Sequence, residues 1–125
     1  MNHASFNENG GPVVAEIRSG FAQPGSYTLL LWEADANVVV MRKDGNFINS
    51  ADDAYPLPTP NQHNDGRIVQ GVATLVITPP ISDYSVALII SQDGNVLGGD
   101  TASAGNASGA VQVTLFVKLR SAGAA

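Results

Sequence analysis

The sequence predicts an all-β protein: an antiparallel β-sandwich, immunoglobulin-like or jelly-roll-like, of about seven or eight strands. Three observations lead there. Short apolar runs either alternate with period two or are β-branched throughout, as strands on a packed sheet require. Turn residues separate these runs at short intervals. No stretch carries a helical period of useful length.

In chain order, residues 1–11 are polar and rich in Asn and Gly, and read as a flexible N-terminal arm. Pro12 to Ser19 alternates, with Val13, Ala15 and Ile17 on one face and Val14, Glu16 and Arg18 on the other. That is a half-exposed strand. Pro24-Gly25 signals a turn. Tyr27 to Glu33 is apolar on both faces, which predicts a central strand covered by a layer on each side. Its lone tryptophan, Trp32, is expected in the core. Asp35-Ala36-Asn37 ends it, and Val38 to Lys43 is its hairpin partner, closed by Asp44-Gly45.

Residues 49–67 carry Pro56, Pro58 and Pro60, which remove backbone donors and favour an extended, irregular loop. Ile68 to Thr78 is a strand with Gly71 as a candidate bulge, ended by Pro79-Pro80. Tyr84 to Ser91 is a second strongly apolar strand, closed by Asp93-Gly94-Asn95. Val96 and Leu97 start its return. Residues 98–110 read as a small-residue loop. Val111 to Arg120 is the longest alternating strand, with Val113, Leu115 and Val117 facing inward. Residues 12–120 are therefore read as a single domain, and residues 121–125 as a frayed C-terminal tail. The expected core is Val13, Ile17, Leu29, Leu31, Trp32, Val39, Leu75, Ile77, Val86, Leu88, Ile90, Val113, Leu115 and Val117.

The two halves resemble each other. Tyr27 with Thr28 parallels Tyr84 with Ser85; in each half an apolar strand follows, then an Asp turn carrying Asn37 or Asn95. This predicts a related buried strand in each of two sheets.

Composition narrows the function. The 125 residues carry a net charge of −5, with 14% charged, and no Lys or Arg lies between Arg67 and Lys118. That balance argues against nucleic acid, which demands a clustered basic face. No cysteine is present, which removes thiol catalysis, thiolate metal sites and disulfides. The compartment stays open, since many exported bacterial proteins also lack cysteine. No apolar stretch is long enough for a transmembrane helix, and the N-terminus has no signal-peptide pattern.

No catalytic or phosphate-binding motif is present. The two histidines are His3 and His63. The 49–67 loop gathers Asp52, Asp53, Tyr55, Asn61, His63 and Asp65. Oxygen-rich loops suit Ca²⁺, which takes roughly six to eight oxygen ligands. Asn61-x-His63-x-Asp65-Gly66 departs from a calcium loop, because Val72 stands where the closing Glu belongs. No cofactor is expected, with Ca²⁺ the one candidate. Tyr55 beside Pro56 and Pro58 offers an aromatic platform for a sugar ring. Two functions are carried forward: a non-enzymatic structural module that assembles into a homo-oligomer, and a small lectin-like carbohydrate-binding module using the 49–67 loop.

Overall fold

Period-two alternation becomes strand after strand in the computed structural model, which describes residues 1–20, 24–47, 53–77, 82–105 and 107–123, with Asp53 as backbone only. Nine strands form among the described residues: β1 (Asn2–Phe6), β2 (Val13–Ser19), β3 (Gly25–Trp32), β4 (Val39–Asn46), β5 (Asp53–Pro56), β6 (Ile68–Ile77), β7 (Tyr84–Gln92), β8 (Asn95–Ala104) and β9 (Gly109–Ser121). A 3-10 turn, Asn61–Asn64, lies between β5 and β6. The strands make two mostly antiparallel sheets, ordered β1-β9-β6-β3-β4 and β5-β2-β7-β8. The one parallel pair among them is β1 with β9.

The apolar residues that alternate along each strand meet in one buried cluster. Leu29, Leu31, Val69, Leu75, Leu115 and Val117 come from the first sheet. Val13, Ala15, Ile17, Val86, Leu88 and Ile90 come from the second. Each fully buried Val, Leu or Ile among them contributes roughly 1.5–3 kcal/mol, so this shared face is the main stabilising term.

Several expectations are corrected. Residues 1–11 are not a free arm: β1 pairs along Val117–Ser121, and Ala4 and Phe6 are buried in the core. The alternation Ala4, Phe6 is too short a signal to stand out among polar neighbours. Nor does the chain fray at residue 121. Ser121 belongs to β9, and the Ala122 amide donates to the Phe6 carbonyl. Residues 124–125, like Pro79-Pro80, lie outside the described residues. β1 flanks β9 along Val117–Ser121.

Asp44-Gly45 is not a turn; both residues lie within β4. Gly45 sits opposite Tyr27, whose hydroxyl occupies the space a Cβ would need. Asp44 accepts from the Thr28 hydroxyl across the strand pair (2.6 Å) and from Arg42 on its own strand (3.2 Å), and these bonds hold it extended. The Thr28 hydroxyl first, and then Arg42, keep the Asp44 carboxyl below the usual carboxylate range. The stretch 98–110 is not a loop throughout. Most of β8 lies there, and a Cβ on Gly98 would fall 2.6 Å from the His3 carbonyl oxygen, so glycine lets β8 run close against β1. Gly71 makes no bulge: the β3–β6 register runs unbroken from Gly25↔Leu75 to Trp32↔Ile68. The 49–67 loop contributes β5, which pairs with β2.

Two expected core residues are not buried. Val39 is exposed, and Trp32 lies half-buried on the outer face of the five-stranded sheet. Trp32 has the opposite parity to the buried Leu29 and Leu31, and among the described residues no layer covers that face.

Candidate functional site

The loop residues singled out in the sequence do not converge. Asp52 lies outside the described residues, and Asp53 begins β5, opposite Ile17. Tyr55 is half-buried, with its hydroxyl bonded to that of Tyr27 and the ring centroids 6.4 Å apart. Asn61 is buried, and its Nδ2 donates to the carbonyls of Glu8 (3.4 Å), Gly10 (3.0 Å) and Gly11 (3.0 Å). Its Oδ1 has no hydrogen-bond partner among the described residues. Asp65 Oδ1 accepts from the Ser121 amide at 2.8 Å. His63 is exposed. Three of these side chains thus tie the loop to the rest of the chain: Tyr55 to β3, Asn61 to the β1–β2 connection, Asp65 to the end of β9. Among the described residues, no group of three or more His, Cys, Asp or Glu is placed to hold a metal ion.

A different site emerges on the outer face of the five-stranded sheet. The register aligns Val39, Trp32, Ile68, Lys118 and His3 in one row across β4, β3, β6, β9 and β1. The next row holds Arg42, Leu30, Gln70 and Phe116. At this end Leu30, Trp32, Ile68 and Phe116 form an apolar and aromatic centre, with Arg42, Lys118 and His3 toward its margins. The rows beyond carry Thr28, Val72 and Thr114, then Ser26, Thr74 and Gln112. At the apolar end a cleft of about 450 Å³ opens, floored by Trp32, Ile68, Gln70 and Phe116 and flanked by Met1 and Lys118. The β3–β4 turn forms its wall, through Glu33, Asp35, Ala36 and Asn37.

Hydrogen bonds fix this wall. Trp32 Nε1 donates to Gln70 Oε1 at 2.8 Å, which sets the indole orientation. The Glu33 carboxylate receives a two-pronged bond from Arg67, Nε at 3.1 Å and Nη2 at 3.0 Å. Arg67 is buried and also donates to Asn64 Oδ1 at 3.0 Å. The Glu33 amide donates to the Val38 carbonyl, which closes the turn. The Arg67 guanidinium first, and then the Ala34 amide, hold the Glu33 carboxyl below the usual carboxylate range. The other two charges behave differently. Neither Asp35 nor Lys118 forms an ion pair among the described residues, although both line the cleft.

Beside the cleft, Val38, Val39 and Val40 are 57%, 42% and 37% exposed, and Met1 is 66% exposed. Comparison with family models, curated proteins and solved structures finds no match to this chain. The site must therefore be read from its own chemistry.

The sequence did contain the signal for this site. A strand that is apolar on both faces needs two covering layers. In β3 the inner residues Tyr27, Leu29 and Leu31 are covered, whereas the outer residues Leu30 and Trp32 stay half-exposed. The sequence shows that two layers are needed; it does not show that the described residues supply only one, which is why it predicts Trp32 in the core.

Proposed function

We propose that this protein is a non-enzymatic assembly module that forms a homo-oligomer through the outer face of its five-stranded sheet. One observation carries the reading: β3 is apolar on both faces, and the described residues cover only one of them. Half-exposed apolar side chains gathered on an uncovered face, beside the exposed Val38–Val40, are a mark of interaction sites in folded proteins. Its aromatic content, Trp32 and Phe116, matches the residues that dominate binding energy at interfaces. The β4 edge of this sheet fits less well. The β3–β4 register shifts between Leu31 and Trp32, and β4 then carries Arg42, Lys43 and Asp44 in succession. A bulge and charges blunt an edge against strand addition. The face is thus the better candidate.

The same reading takes the two sheets as a sandwich with jelly-roll-like connections. Between β2 and β9, the steps β3–β4 and β7–β8 stay within one sheet, and the others cross from sheet to sheet. An experimental structure in which the two apolar faces did not pack on each other would overturn this.

Light scattering gives the test of assembly. The wild-type protein is expected at a multiple of its chain mass, and Trp32→Ser at the single-chain mass with its fold retained. A wild-type monomer at high concentration would reject the assembly reading. The lectin-like alternative has less support, because Tyr55, Asn61 and Asp65 spend polar atoms on internal bonds. Glycan binding that is weakened by Tyr55→Ala would favour that alternative instead.

A further inference from the structure

The cleft and an exposed turn that leads into an apolar run lie side by side on this face, and their charges are complementary. The cleft holds Lys118, a cation with no ion-pair partner among the described residues. The β3–β4 turn carries Asp35, an exposed anion equally without one, and leads directly into the exposed Val38–Val40 run. A surface that presents both a knob and the hole for it, adjacent to one another, is its own complement under two-fold symmetry.

We infer that the occupant of the Trp32 cleft is the β3–β4 turn of a second copy of this chain, with Asp35 of each copy paired to Lys118 of the other. This rests on the assembly reading above and narrows it to one isologous interface. The apolar contact supplies most of the affinity: Val38–Val40 of one copy against Trp32, Ile68 and Phe116 of the other. The two symmetry-related Asp35–Lys118 pairs set the register, which is the usual contribution of charge pairs at an interface. The Glu33–Arg67–Asn64 bonds hold the turn in shape before docking, so little ordering is lost on association.

The test reverses each charge alone and then mixes the two variants. Lys118→Glu places like charges across the interface. At the turn, Asp35 has φ +52°, a backbone that Asn adopts readily and Lys does not. The second variant is therefore Asp35→Asn with Ala36→Lys, which moves the new cation to the exposed neighbour. Each variant alone is expected to dissociate at least ten-fold more readily than wild type in sedimentation equilibrium. An equimolar mixture of the two is expected to recover a dimer, because each copy then meets the opposite charge. Thr101→Lys, exposed on β8 of the other sheet, leaves the mass unchanged. Thermal melts confirm that the variants fold. If the wild type is oligomeric but neither variant weakens it, another surface assembles the protein and this inference falls while the assembly reading stands. Variants that dissociate without recovery on mixing overturn the Asp35–Lys118 pairing. A wild-type monomer removes both.

Discussion

The β3–β4 and β7–β8 hairpins are built alike and used differently. Each is a central strand with its hairpin partner at the edge of its sheet. Each has a register shift near the turn, between Leu31 and Trp32 or between Ile90 and Ser91. Asp35 and Asp93 both turn the chain at φ +52°. The difference lies in what surrounds them. Both carboxylate oxygens of Asp93 accept from the Gly11 amide at 3.2 Å, and neighbouring Gln92 bonds to the carbonyls of Asn7 and Gly11. That turn is tied into its own molecule. Asp35 stands exposed at the mouth of a cleft, beside Trp32 and three exposed valines. One hairpin element thus serves internal cohesion in one sheet and presents a surface in the other.

The largest expected effect tests what the hairpins share. Leu31 and Leu88 are both fully buried on the central strands. Leu31→Ala and Leu88→Ala should each cost about 2–5 kcal/mol in urea denaturation, through lost burial and the cavity left behind. A small loss at only one of them would break the equivalence. A smaller effect separates the turns. Asp93→Gly and Asp35→Gly both tolerate the positive φ, yet only the first removes internal bonds. Asp93→Gly should therefore be the more destabilising by about 1 kcal/mol. Equal losses would mean that the Gly11 contact contributes nothing.

The smallest effect is a pH dependence of the cleft wall. Because the carboxyl pKa of Glu33 is lowered in the folded state, the unfolded chain takes up its proton first as pH falls. The stability this group contributes is present above its ordinary value of 4.5 and lost as pH drops through the lowered folded value. Glu33→Gln should flatten that acid limb of the stability curve. An acid limb identical in wild type and Glu33→Gln would show that the Arg67 contact adds no net stability.

Legibility from the sequence varied by element for physical reasons. Long alternating strands such as β7 and β9 were plain, because burial imposes period two directly on residue type. β1 and β5 were not, because their pairing comes from β9 and β2, far away in sequence. The two Asp-Gly pairs show the limit of local signals. Asp93-Gly94 turns the chain, whereas Asp44-Gly45 runs straight, because Tyr27 covers Gly45 and Thr28 holds Asp44. The loop site was read from residue type alone; Tyr55, Asn61 and Asp65 proved to be ties within the fold.

By itself, the sequence determined the all-β class, the position of most long strands other than β8, and most of the core. These follow from a side-chain period that any sheet must share. Only the tertiary structure decided which face of each strand stayed uncovered, and so brought Trp32, Ile68, Phe116 and Lys118 together. Their side-by-side placement depends on the strand order β9-β6-β3, and strand order is set by long-range pairing, which no local pattern encodes.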